Sequence, residues 1–82
     1  MTRIVTVAGA QLGPVQLADD RADVVERMIV LLQEAASQGS DLVVFPELAL
    51  TTFFPRWFVD DITTADPFYE RSMPNEATQP LF

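Results

Sequence analysis

Four apolar residues, a proline and a glutamate form the segment Leu42-Val43-Val44-Phe45-Pro46-Glu47 near the middle of this 82-residue chain. A short apolar run with a turn signal at its end is typical of a buried parallel strand. Pro46 has no N–H to donate to a neighbouring strand, so it ends the strand. Glu47 then lies just past the carboxyl end of that strand, where ligands bind in open α/β sheets. Glu47 is therefore a candidate general base; the alternative is a surface glutamate that only begins a loop.

The residues before this segment predict a strand and a helix. Residues 3–11 begin with a mostly apolar, β-branched run that ends near a Gly-Pro dipeptide, which is typical of a strand followed by a turn. A helix is predicted from a cap at Asp19 or Asp20 to about residue 38, with Gly39 as its left-handed C-terminal cap. Strand, helix and strand in this order indicate a βαβ unit with parallel strands, and composition alone indicates an α/β fold.

The predicted helix is amphipathic. Its apolar residues lie within an arc of about 160° at 100° per residue. They are Val24, Val25, Met28, Ile29, Leu31, Leu32, Ala35 and Ala36. Val30 falls within the polar arc and is expected on the surface, while Asp23 and Arg27 are expected to form an i,i+4 ion pair. A helix with such a wide apolar stripe is expected to lie on a sheet.

Composition excludes several classes of function. The net charge is −7 and the pI about 4.1, which argues against a nucleic-acid surface and against a polybasic membrane patch. No apolar run approaches the roughly 20 residues of a membrane helix, and the N-terminal residues do not form a secretory signal, so we expect a cytoplasmic protein. Cysteine and histidine are both absent, which excludes disulfides and the usual structural zinc sites; no metal or other cofactor is expected.

The segment from Leu42 to Trp57 resembles the first catalytic motif of the nitrilase superfamily of carbon–nitrogen hydrolases. More narrowly, it resembles the N-carbamoyl-D-amino acid amidohydrolases. Gln11-Leu12-Gly13-Pro14 upstream and Asp66-Pro67-Phe68-Tyr69-Glu70 downstream fit the same family, so the resemblance covers essentially the whole chain. It implies the α-β-β-α sandwich of the nitrilase fold, of which residues 1–82 are expected to form an incomplete N-terminal part that contains the βαβ unit.

The resemblance also implies a catalytic triad of Glu, Lys and Cys in which Glu47 takes the first position. The chain has no lysine and no cysteine, since its five basic residues are all arginines. The other two members are therefore expected outside residues 1–82, in a longer enzyme that converts N-carbamoyl-D-amino acids to D-amino acids, CO2 and ammonia. The alternative from another class is a binding or interaction module without catalysis. The small-molecule substrate is the expected partner, and the full-length enzyme is expected to be a homo-oligomer.

Aromatic residues after Glu47 are candidates for substrate binding. Phe53, Phe54 and Trp57 are the three candidates, and the alternative for each is that it fills a core. Arg56 suits a substrate carboxylate, although a salt bridge to an acid such as Asp60 or Asp61 is the favoured interpretation. The region after Thr51 is otherwise predicted to be loops with two short helices, near residues 56–60 and 67–71. The second of these helices is expected to begin with Pro67 after Asp66 as its cap.

Overall fold

The computed structural model describes residues 2–53 and 60–82. Within these residues the order is strand β1 (Val7–Gly9), helix α1 (Arg21–Ser37), strand β2 (Leu42–Val44) and two 3₁₀ helices, Ile62–Phe68 and Gln79–Leu81. β1 and β2 pair in parallel with the helix between them in sequence, which confirms the predicted strand–helix–strand order. The described part of the chain is therefore a mixed α/β structure.

The two strands pair over three residues each, with Val7 opposite Leu42 and Gly9 opposite Val44. Hydrogen bonds extend the pairing by one residue at each end: Ala10 N–H donates to Val44 O at 2.8 Å, and the Thr6 carbonyl accepts from Leu42 N–H at 3.2 Å. The predicted strand over residues 3–11 was too long. In this register residues 3–5 stand opposite residues 38–40, where the chain turns out of the helix and offers no strand.

The Asp41 carboxylate joins the beginning of the two strands. Its Oδ2 atom accepts a hydrogen bond from Thr6 N–H at 3.0 Å, and the Asp41 N–H donates to Thr6 O at 2.8 Å. Side chains alternate across the sheet from there. Val7, Leu42 and Val44 are each more than half exposed, whereas the side chains between them are half-buried. One face of the sheet is therefore open to solvent.

Helix α1 ends as its sequence predicted. Gly39 adopts a φ of 83°, its N–H donates to Ala36 O at 3.0 Å, and Ser40 N–H donates to Ala35 O at 3.1 Å. These two bonds form the Schellman motif, which satisfies carbonyl groups that the helix leaves unpaired. At the other end Asp20 occupies the N-cap position with an extended backbone.

The apolar stripe of α1 is turned away from solvent as predicted, except at Ala36, which is exposed. Val24, Val25, Met28 and Ala35 are buried, and Ile29, Leu31 and Leu32 are half-buried. Val24 and Met28 form the core with Leu12, and both helix residues are less than a tenth exposed. Half-buried side chains from four parts of the chain pack against this core: Val15, Leu31, Phe45, Ala49, Leu50 and Leu81. Val30 lies on the exposed side, where the pattern placed it. No helix among the described residues has the length and apolar character needed to cross a membrane.

The region after residue 60 differs from the sequence prediction. The longer 3₁₀ helix begins after Asp61, whose Oδ1 atom accepts a hydrogen bond from Thr63 N–H at 3.0 Å. Bonds from the backbone and side chain of Thr63 lower the pKa of the Asp61 carboxyl below its ordinary value of 3.8. Pro67 lies inside this helix, so the prediction of Pro67 as a first helical residue was wrong. Asp61 begins the helix because its carboxylate captures an orphan N–H two residues on.

Polar contacts hold this region against α1. The Arg21 guanidinium pairs with the Glu70 carboxylate, and its Nη2 atom donates to Pro67 O at 2.7 Å. Asn75 donates from its side-chain amide to the same Glu70 carboxylate. Thr78, which is fully buried, exchanges hydrogen bonds with Asn75 in both directions: Asn75 N–H donates to Thr78 Oγ1 at 2.9 Å and Thr78 N–H donates to Asn75 Oδ1 at 3.0 Å.

Candidate active site

Glu47 lies in a turn over residues 47–50 that follows β2 and Pro46. Thr51 N–H donates to Leu48 O at 3.2 Å and closes the turn. Ala49 and Leu50 pack against the core, and Thr51 is buried. The backbone that carries Glu47 is thus anchored on its inner side, while the Glu47 side chain is exposed. The sequence placed Glu47 correctly after the strand, and the structure adds a turn that fixes it there.

Leu48, the residue after Glu47, adopts a φ of 55°. A leucine in this left-handed region brings its Cβ atom close to the carbonyl oxygen, which costs an L-residue roughly 1–2 kcal/mol. Backbone strain of this kind persists only where the surrounding structure over-determines it, and it clusters at active sites. The strained residue and the candidate base are neighbours in one turn, which strengthens the case for a functional role of this turn.

Glu47 and Phe53 line the same pocket, which has a volume of about 160 Å³. Phe53 is 59% exposed, so it is not part of the core and its side chain is accessible from the pocket. Pro46, Leu48, Ala49 and Thr51 complete this side of the pocket. Sites for small molecules usually measure about 300–1,000 Å³, so this pocket of about 160 Å³ is smaller than a typical site. Phe54, Trp57 and Arg56, the other predicted site residues, lie outside the described residues.

The remaining part of the lining comes from the loop between β1 and α1, through Leu12, Gly13 and Val15. Gly13 has a φ of 81°, a conformation that glycine adopts without the cost of a Cβ atom. Arg27 of α1 reaches this loop: its Nη2 atom donates to Leu12 O at 2.7 Å and to Pro14 O at 3.0 Å. Gly13 of the Gly-Pro dipeptide, which the sequence indicated only as a turn, thus lines the pocket together with Leu12 and Val15.

The predicted ion pair between Asp23 and Arg27 was wrong. Arg27 lies 3.8 Å from Asp19 through Nη1 and donates its Nη2 hydrogens to the two carbonyl groups. An exposed i,i+4 pair contributes only about 0.2–0.5 kcal/mol, whereas charge-assisted hydrogen bonds to fixed carbonyl oxygens are stronger. The guanidinium therefore turns toward the loop.

Larger depressions lie elsewhere on the described surface. One of about 500 Å³ is lined by Val25 and Ile29 of α1 and by Ala77 and Pro80. Neither this depression nor one of about 380 Å³ beside Thr52 includes Glu47. Among the described residues, no three acidic side chains come close enough together to hold a metal ion. The smaller pocket remains the candidate site because a carboxylate at the carboxyl end of a parallel strand lines it.

A family model described as carbon-nitrogen hydrolase matches residues 6–82. The match covers β1, α1, β2 and the turn with Glu47. The chain belongs to the carbon-nitrogen hydrolase family. The nitrilase-superfamily membership predicted from the segment around Glu47 is thereby confirmed. Full-length members of this family are hydrolases, and the candidate pocket of this carbon-nitrogen hydrolase lies inside the matched region.

Two features of this carbon-nitrogen hydrolase site were missed by the sequence reasoning. The left-handed backbone of Leu48 has no signature in the sequence, since leucine is not a residue that favours this conformation. The contact of Arg27 with the loop had a weak signature: an arginine near the apolar stripe of the helix, with a Gly-Pro turn close by in the chain. The sequence did not show that the guanidinium would bind that turn.

Proposed function

We propose that Glu47 is the general base of an amidohydrolase that cleaves N-carbamoyl-D-amino acids to D-amino acids, CO2 and ammonia. One observation carries the proposal: in a chain of the carbon-nitrogen hydrolase family, Glu47 follows a parallel strand and lines a pocket beside a strained residue. The resemblance of the segment through Trp57 to the N-carbamoyl-D-amino acid amidohydrolases supports the choice of substrate. Phe53 lines the same pocket and is proposed to contact the substrate.

The proposed reaction needs a thiol and a lysine besides Glu47. Glu47 takes the proton of the thiol, the thiolate attacks the carbamoyl carbon, and ammonia leaves with the proton that Glu47 returns. The lysine stabilises the oxyanion. Glu47 then activates the water that hydrolyses the thioester, which frees the thiol and a carbamate that decomposes to the amino acid and CO2. Residues 1–82 contain neither lysine nor cysteine, so we place both in other parts of the enzyme.

We also propose that residues 1–82 are the N-terminal part of a larger hydrolase domain with the α-β-β-α sandwich. The accessible surface of 6376 Å² supports this, because a compact monomer of 9.1 kDa exposes about 4,900 Å². The radius of gyration is 15.2 Å, compared with about 12 Å for a compact domain of this length. The open sheet face with Val7, Leu42 and Val44 is the surface that a second layer would cover.

The decisive experiment replaces Glu47 in the full-length enzyme and measures ammonia release from an N-carbamoyl-D-amino acid. Glu47→Gln keeps the shape and removes the base, so we expect turnover to fall by about 100- to 10,000-fold. Glu47→Asp retracts the carboxylate by roughly 1 Å and is expected to cost about 100-fold. Both variants should remain folded by circular dichroism, since the Glu47 side chain is exposed.

Glu34→Gln provides the matched control, because Glu34 is an exposed glutamate of α1 outside the Glu47 pocket. It should retain wild-type turnover. Residues 1–82 alone should release no ammonia above buffer, since they supply no nucleophile of the proposed kind. If Glu47→Gln keeps more than about a tenth of the wild-type turnover, the general base is another residue.

A further inference from the structure

Arg27 ties helix α1 to the loop that follows β1 at three points. Its Nη2 atom donates to Leu12 O at 2.7 Å and to Pro14 O at 3.0 Å. Its Nη1 atom lies 3.8 Å from Asp19 Oδ2, which accepts a hydrogen bond from Gln16 N–H at 2.7 Å. The guanidinium therefore contacts the loop on both sides of Gly13 and, through Asp19, near its end.

The loop that Arg27 holds is a wall of the Glu47 pocket. Leu12, Gly13 and Val15 line that pocket, and the two carbonyl groups that Arg27 binds flank Gly13 directly. A Cβ atom added at Gly13 would lie 3.6 Å from Arg27 Nη2, so the guanidinium lies on the side of Gly13 where a side chain would begin. The rigid side of this contact is α1, because Val24 and Met28 on the same helix are buried in the core.

We propose that Arg27 is a positioning residue that fixes the Gly13 wall of the pocket and thereby controls substrate binding. This inference rests on the proposed function of Glu47. Arg27 acts on binding and not on proton transfer, because Glu47 belongs to a separate turn that Ala49 and Leu50 anchor to the core. Loss of the guanidinium releases the wall while the base keeps its place.

The test measures the steady-state kinetics of wild type, Arg27→Ala and Arg27→Lys, all in the full-length enzyme. Arg27→Ala is expected to raise KM by about tenfold with kcat within about threefold of wild type, the pattern of lost uniform binding. Arg27→Lys keeps the charge but not the planar fork, so its KM should lie between those of Arg27→Ala and wild type. About 20 mM guanidinium should lower the KM of Arg27→Ala and leave the wild-type KM unchanged.

Arg21→Ala is the matched control. Arg21 lies on the same helix and also makes an ion pair and a hydrogen bond to a backbone carbonyl, but its contacts are Glu70 and Pro67. It should lower thermal stability about as much as Arg27→Ala does and leave KM within about twofold of wild type. Hydrogen exchange should be faster in residues 12–17 of Arg27→Ala and unchanged there in Arg21→Ala.

The proposal is overturned if Arg27→Ala keeps the wild-type KM, if Arg21→Ala raises KM equally, or if guanidinium gives no rescue. A fall in kcat at constant KM also overturns it, because Arg27 would then act on the base. Failure of the proposed function is a separate result: Glu47→Gln would keep its turnover, whatever the Arg27 variants do.

Discussion

Because the backbone of Leu48 is left-handed, we predict that glycine at this position gives a more stable protein than alanine. This is the reverse of the order at ordinary positions. At an ordinary position, alanine is more stable than glycine by about 0.5–1 kcal/mol, because glycine loses more backbone entropy on folding. At Leu48, where φ is 55°, alanine retains the steric cost of its Cβ atom, roughly 1–2 kcal/mol, and glycine escapes it. Leu48→Gly is therefore expected to be more stable than Leu48→Ala by about 1 kcal/mol.

The comparison isolates the backbone because both variants lose the same leucine side chain, which is 37% exposed in the structure. The free energy of unfolding is measured by urea denaturation of the full-length protein. With an m value of about 1–3 kcal/mol/M, a difference of 1 kcal/mol separates the two midpoints by roughly 0.3–1 M. The two variants should share one m value, since neither changes the extent of folded structure.

Two control positions show how alanine and glycine compare, one in an ordinary helical backbone and one in a left-handed backbone. Ala36→Gly, at an exposed position in the last turn of α1, should destabilise by up to about 0.5–1 kcal/mol, because glycine loses more backbone entropy than alanine in a helix. Gly39→Ala should destabilise by about 1 kcal/mol, because Gly39 has a φ of 83°. An added Cβ atom would meet nothing within 4 Å, so this loss would come from backbone strain and not from a clash. If Leu48→Ala proves as stable as Leu48→Gly or more stable, the strained turn beside Glu47 does not exist in solution.

Two further predictions concern the region after residue 60. Thr78→Val keeps the shape of the buried side chain but leaves the Asn75 N–H without its acceptor, so it should destabilise by about 1–3 kcal/mol in urea denaturation. Thr78→Ser keeps the hydroxyl and loses one buried methyl group, so it should destabilise less than Thr78→Val, by about 0.8 kcal/mol. Hydrogen bonds from Thr63 lower the pKa of the Asp61 carboxyl, so ionised Asp61 stabilises the folded state. This stabilisation is present above the ordinary pKa of 3.8 and is lost as the pH falls through the lowered pKa. The difference in urea midpoint between wild type and Asp61→Asn should therefore be larger at pH 7 than at pH 2, and an equal difference at both would contradict this role of Asp61.

The local patterns of the sequence predicted much of the fold. The apolar stripe of α1, the Gly39 cap and the position of Glu47 after β2 follow from side-chain periodicity and from single residues with strong backbone preferences. The length of β1 did not follow from these patterns, because it depends on the partner strand. That strand is short because residues 38–40, which stand opposite residues 3–5, still turn out of the helix. The 3₁₀ helix after Asp61 was missed because Pro67 and Asp66 offered a competing start signal of the same kind.

The site was less predictable than the fold because its geometry depends on contacts between distant parts of the chain. Glu47 and Phe53 were candidates from one continuous segment, and the structure brings both to one pocket. Arg27 was expected to bind Asp23 within the helix, but two carbonyl groups more than ten residues away offered stronger acceptors. The spacing of residues in the sequence predicts which side chains are neighbours on one face of a helix. It does not predict which loop folds back onto that helix.

The hydrogen bonds between Asp41 and Thr6 have a consequence for Glu47, which lies at the other end of β2. A three-residue parallel pair has few bonds to define its alignment, and a slip by one residue would move β2 along β1 by about 3.3 Å and reverse the faces of its side chains. Asp41 opposes that slip, because its carboxylate and its N–H both bind Thr6 and would lose it together. An acid at the amino end of the strand thus helps to fix the position of Glu47 relative to Gly13 in the pocket that both residues line.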